Sequence, residues 1–111
     1  MDKKLFKAGL NHFLDVSTSH ITERDGELLT RIGMEANTAL PLFVSNHPYG
    51  HWVDVHPDIK DQPDAYFQAL NAAGFSQEFC DILRAADEID CIVINFDADG
   101  LIYEGLPQFE W

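Results

Sequence analysis

Three sets of side chains have types and spacings that could carry chemistry: a row of carboxylates, a group of histidines, and a loop that opens like a calcium site. Glu78, Asp81 and Glu88 are spaced to fall on one helix side, with Asp87 next to them, Asp61 and Asp64 before them and Asp97 and Asp99 after them. Like charges on one helix side cost a few tenths of a kcal/mol, roughly 0.2–0.5 per pair. Their chemistry is that of a polyanion, able to occupy a groove of arginines and lysines built for duplex DNA, which presents about one charge per 1.7 Å of axis. His47, His51 and His56 surround Asp54, residue types that ligate zinc. Zinc needs three or four donors converging on one point, whereas strand alternation sends His51 and His56 to opposite faces. Only Asp54 and His56 stay adjacent, so no metal site is expected.

His20 follows Ser17, Thr18 and Ser19, a conceivable nucleophile and base, yet no glycine-flanked nucleophile or oxyanion signature accompanies it. A small hydrolase or metal enzyme using His20, or Asp54 with His56, is the weakest of three readings. Asn95, Asp97, Asp99, Gly100 and Ile102 reproduce positions 1, 3, 5, 6 and 8 of a calcium loop, but position 12, normally a bidentate glutamate, is Leu106. A hairpin turn explains Asp99-Gly100 better. No glycine loop cradles phosphate, and no cofactor is expected.

Nineteen acidic side chains against seven basic ones give a net charge of −12 in 111 residues. Residues 1–7 carry Lys3, Lys4 and Lys7 against Asp2, net +2; residues 8–60 carry seven acids and three bases, net −4; residues 61–111 carry eleven acids and Arg84 alone, net −10. A small domain needs a charge of magnitude only about 2–8 for solubility, and the excess opposes compaction. Direct binding to nucleic acid or anionic membrane is disfavoured, and basic proteins become the favoured partners.

Length and 46% apolar side chains fit a single domain, 1–111, with a real core. The opening MDKKLFKAG lacks the apolar run of a secretory signal, no segment reaches the length of a membrane span, and a cytoplasmic protein is expected. Cys80 and Cys91 fall in apolar stretches, where free cysteine acts as a small hydrophobe.

The elements that must position these groups are legible in part. Leu10–Val16 reads as a strand. Thr22 with Glu23 and Asp25 opens a helix whose stripe is Ile21, Leu28, Leu29 and Ile32, stopped at Gly33. Gly26 weakens that helix by about 1 kcal/mol and requires packing to hold it. Leu40–Ser45 and His51–Val55 read as strands joined by the turn 46–50. Alternation puts His51, Val53 and Val55 on one face and Trp52, Asp54 and His56 on the other. A helix runs from Asp61 or Asp64 to about Asn71, ending at Gly74. Another is capped by Ser76, with the stripe Phe75, Phe79, Ile82, Leu83 and Ala86. Cys91–Phe96 reads as a central strand buried on both faces, turning at Asp99-Gly100 into a strand over Leu101–Tyr103. The expectation is an α+β domain, order β-α-β-β-α-α-β-β, with three helices on a mostly antiparallel sheet of about five strands. Tyr49, Trp52 and Trp111 are candidate interface anchors, and Trp111 needs to dock on the domain to serve any purpose.

Three stretches read together: Ser17-Thr18-Ser19-His20-Ile21-Thr22 leading into Leu28 and Leu29; Tyr49-Gly50-His51-Trp52-Val53-Asp54-Val55; and Phe96-Asp97-Ala98-Asp99-Gly100 with Gly105-Leu106-Pro107-Gln108-Phe109-Glu110-Trp111. The pattern resembles a family of small uncharacterised proteins encoded on bacterial plasmids and integrated mobile elements, near antirestriction genes. The resemblance implies a setting in which host defences must be blunted. It transfers no catalytic residue. The leading expectation is a non-enzymatic, DNA-mimic-type inhibitor that uses Asp61, Asp64, Glu78, Asp81, Asp87, Glu88, Asp97 and Asp99 against a basic nucleic-acid-binding protein of a restriction or CRISPR system. The alternative is an accessory protein of plasmid maintenance or transfer that binds another protein through Tyr49, Trp52 and Trp111.

Overall fold

A computed structural model describes residues 1–35 and 38–111. Helix α1 (Glu23–Met34) starts at the expected capping box: Asp25 N–H donates to Thr22 Oγ1 at 3.1 Å, and Thr22 N–H donates to Asp25 Oδ2 at 2.9 Å. The expected second helix forms, with its start where the sequence placed it. A single turn, α2 (Asp58–Asp61), precedes α3 (Pro63–Ala73), because Pro63 lacks an N–H and suits the first position of a new helix rather than the interior of an old one. Gly74 ends α3 in the left-handed conformation, φ +107°. Ser76 caps α4 (Gln77–Glu88), its Oγ accepting from Phe79 N–H at 3.1 Å. Residues 3–9 and 18–20 form 3₁₀ turns. The tally of three helices is therefore replaced by four α-helices and these 3₁₀ turns among the described residues.

Strands β1 (Phe13–Ser17), β2 (Val44–His47), β3 (Gly50–Asp54) and β4 (Val93–Asp97) make one sheet in the order β1-β4-β3-β2. β1 runs parallel to β4, while the β4–β3 and β3–β2 pairs are antiparallel. The domain is α+β, but the sheet is mixed and four-stranded rather than mostly antiparallel and five-stranded. The missing strand has a topological cause. β4 is flanked by β1 and β3, so no edge is free for Leu101–Tyr103 to pair with after the Asp99-Gly100 turn. That segment instead crosses the end of β1, where Ser17 N–H donates to Leu101 O at 2.8 Å. Strand limits moved for similar reasons. β1 begins at Phe13, where pairing with Val93 begins, and Asn46 and His47 pair with His51 and Gly50, shrinking the expected five-residue turn to Pro48-Tyr49.

Helices cover one face of the sheet. Val16, His51, Val53, Ile94 and Phe96 are buried beneath them, with Leu29, Leu70, Phe79 and Leu83 from the helices in the same cluster. Phe79 links the layers, stacked on Phe75 at 4.6 Å and lying 5.6 Å from Phe96. The opposite sheet face is open: Phe13, Asp15, Trp52, Asn95 and Asp97 are partly or fully exposed. β4 is thus central but buried on one side only, against the expectation from its unbroken apolar run. Among the described residues, no helix is long and apolar enough to cross a membrane.

Candidate functional site

Helix α4 turns Phe79, Ile82, Leu83 and Ala86 into the core, which places Glu78, Asp81, Ala85 and Glu88 in one outward row at spacings of three and four. The row borders a groove of about 500 Å³ between α4, the Leu14 and Val16 side of β1, and the C-terminal segment at Tyr103, Leu106 and Pro107. Glu78 and Asp81 stand among these mostly apolar walls, and Gln77 Nε2 donates to Asp81 Oδ1 at 2.7 Å. Arg84, the one base in residues 61–111, lies with its guanidinium 4.2 Å above the Phe67 ring. Among the described residues it has no ion-pair partner, so its charge is held on α3's aromatic face.

The other carboxylates of the expected acidic face lie elsewhere. Asp87 accepts from Lys60 Nζ at 2.9 Å, with Asp90 at 3.9 Å from the same ammonium. The hydrogen bond to Asp87 holds the Lys60 ammonium's pKa above its ordinary value. Asp61 lines a depression together with Lys60, Asp87 and Asp90, and Asp64 is exposed in the first turn of α3. Asp97 and Asp99 sit where β4 ends, Asp97 Oδ1 accepting from Asp99 N–H at 2.8 Å, with Asp15 Oδ2 accepting from Leu101 N–H at 3.3 Å nearby. The eight residues therefore divide among four places, and only Glu78, Asp81 and Glu88 form a row.

His20 forms part of the groove wall, fully buried, and both ring nitrogens are engaged. Tyr103 N–H donates to Nε2 at 2.9 Å, so Nδ1 carries the proton and donates to Pro107 O at 2.8 Å. His20 is a staple for the C-terminal segment, with no nitrogen left to serve as a base. The Tyr103 hydroxyl donates to Asp15 O at 2.6 Å, and burial followed by the Asp15 charge raises the phenol's pKa. The remaining histidines diverge. His51 points inward and donates from Nδ1 to Asn46 Oδ1 at 2.8 Å; His47 points outward to Asn95 Oδ1 at 2.8 Å; His56 is stacked between Phe43 and Tyr66. Asn46, in turn, donates from Nδ2 to Thr30 O at 3.0 Å, fixing its orientation. No group of three or more potential ligands gathers among the described residues. Asn95 and Asp97 project from a strand rather than around a loop, so the calcium-like spacing has no ring of ligands behind it.

The aromatic candidates are largely engaged. Trp52 packs edge-on against Phe13 at 5.5 Å on the open sheet face. Trp111, though 55% exposed, donates from Nε1 to Ile21 O at 3.1 Å and lays its ring on Gly26. Tyr49, 63% exposed, stands at the β2–β3 turn. Sequence reasoning missed the groove because Leu101–Tyr103 read as a strand. The signal was present in Leu106-Pro107, a pair that cannot continue a ladder and lies within reach of a helix face.

Residues 13–111 match the family model described as "Family of unknown function (DUF5983) C-terminal domain". No curated protein and no solved structure matches the chain.

Proposed function

The chain belongs to the DUF5983 C-terminal-domain family, whose function is unknown, and on the physical chemistry of its surface we propose that it is a non-enzymatic acidic inhibitor that presents α4 to a basic nucleic-acid-binding protein of a host defence system. The observation that supports this most is the uncompensated row Glu78, Asp81 and Glu88, whose neighbour Arg84 is turned onto Phe67. From Glu78 to Glu88 the helix rises about 15 Å, so three charges recur over a length comparable to a few phosphates along a duplex. Attraction of this kind speeds encounter and weakens with salt. The reading places the protein on a plasmid or integrated mobile element, where restriction or CRISPR proteins are the targets to be blocked, and it has the cytoplasm as its place of action.

The test is competition. Purified protein is titrated into restriction and CRISPR nucleases in the presence of duplex DNA at several salt concentrations. The expected result is mutual exclusion with DNA, a Kd that rises steeply with salt, and a loss of at least about tenfold when Glu78, Asp81 and Glu88 are all changed to lysine. A complex that holds DNA and this protein together, or one indifferent to ionic strength, overturns the proposal.

A further inference from the structure

We propose that residues 3–10 of one copy dock in the groove beside α4 of a second copy. Residues 3–9 form a 3₁₀ turn that buries nothing, and Leu5, Phe6 and Leu10 are 74%, 57% and 73% exposed. Three large apolar side chains so close together and so open to water are a surface waiting for a partner. Lys3, Lys4 and Lys7 interleave with them and make this the one net-basic stretch of a chain at −12. The groove has the complementary character: about 500 Å³, apolar at Leu14, Ile82 and Leu106, with the carboxylates of Glu78 and Asp81 beside it. Apolar insertion with lysines set against the two acids satisfies both surfaces.

A second copy fits better than the same chain. The arm leaves β1 at its Phe13 end, where Ile92 N–H donates to His12 O at 3.2 Å, and within one chain it stays outside the groove, with Leu5, Phe6 and Leu10 exposed. Exchange of arms about a two-fold axis fills both grooves at once. Glu78 and Asp81 are shared with the proposed partner face, so an arm in the groove closes that part of the face to a foreign basic protein. Self-association is read on the purified chain alone, so its failure and the failure of the inhibitor reading are separate results.

Sedimentation velocity across a concentration series is the measurement. The full chain is expected to associate, and Phe6→Asp to raise the dissociation constant at least about tenfold with unchanged circular dichroism, because Phe6 supports nothing in the monomer. A Glu78→Lys, Asp81→Lys chain and a Lys4→Glu, Lys7→Glu chain are each expected to stay monomeric and to associate when mixed. A full chain that is monomeric at every soluble concentration overturns the proposal. So does association unaltered by Phe6→Asp, or an arm found in its own groove within a monomer.

Discussion

The Asp25 carboxylate caps the helix that follows Ser76 as well as its own. Oδ1 accepts from Ser76 N–H at 2.8 Å, Oδ2 accepts from the Ser76 hydroxyl at 2.5 Å, and Oδ2 also closes the α1 capping box at Thr22. A fully buried side chain is tolerated here because its oxygens are hydrogen-bonded and lie at the positive ends of two helices. This contact ties the start of α4, the helix that carries the acid row, to the start of α1.

Asp25→Ala is expected to destabilise the fold by about 3 kcal/mol, since buried donors on Ser76 and Thr22 lose a charged acceptor. Ser76→Ala is expected to cost about 1 kcal/mol as a lost cap. Urea denaturation of the two single variants and the double variant checks the coupling, which should leave the double variant less destabilised than the sum.

Gly26 and Trp111 predict a reversal of sign. A Cβ at Gly26 would lie 2.6 Å from Trp111 Cη2, so Gly26→Ala alone should lower stability by roughly 1–2 kcal/mol through overpacking. In a Trp111→Ala background the same change should raise it by about 1 kcal/mol, because only helix propensity remains. Thermal melts of the four proteins decide it; destabilisation by Gly26→Ala in both backgrounds would contradict the packing.

His51 makes stability depend on pH. Burial, followed by the charge of His47, lowers its pKa below the ordinary 6.5. The unfolded chain therefore binds a proton that the folded chain refuses, and stability rises with pH through this window. The contribution is complete above 6.5 and is lost as pH falls toward the lowered folded value. Urea midpoints between roughly pH 5 and pH 7.5 should show the slope, and His51→Gln should reduce it.

Cys80 should be inert while the protein is folded. Burial, and then the Asp25 charge, pushes its thiol up to about 11, and both cysteines are buried and free. Only thiolate reacts, so a thiol reagent at about pH 8 should label Cys80 no faster than the chain opens. Mass spectrometry over time reads this directly, and rapid labelling of the native protein would refute it.

Arg84→Gln separates stability from binding. Loss of the contact with Phe67 should cost about 0.5–1 kcal/mol, while residues 61–111 become one charge more negative. If α4 engages a basic partner, affinity should rise despite the weaker fold; a fall in affinity would count against the acid row.

Much of the fold was readable because its causes lie within a few residues. The Thr22–Asp25 box, the Ser76 cap, the Gly74 stop and the α4 stripe are contacts across three or four positions, and each formed where the pattern placed it. His51 and Val53 faced the core as alternation required. The demand that Trp111 dock and that Gly26 be supported met in one contact, although neither residue revealed the other as its partner. Readings that depended on distant neighbours failed. The Leu101–Tyr103 strand had a plausible local pattern and no edge to join, and Asp87, expected on the acidic face, is paired with Lys60 from another element.

By itself the sequence determined the sign and size of the charge, the caps at Thr22, Gly74 and Ser76 and the amphipathic period of α4, because electrostatic totals and short-range hydrogen bonds need no knowledge of the rest of the chain. Only the tertiary structure decided that β4 lies between β1 and β3, that His20 is closed by Tyr103 and Pro107, and that the carboxylates divide among four places. Those outcomes rest on which strand edges remain free and which sheet face the helices cover, and both are properties of chain segments brought together from many residues apart.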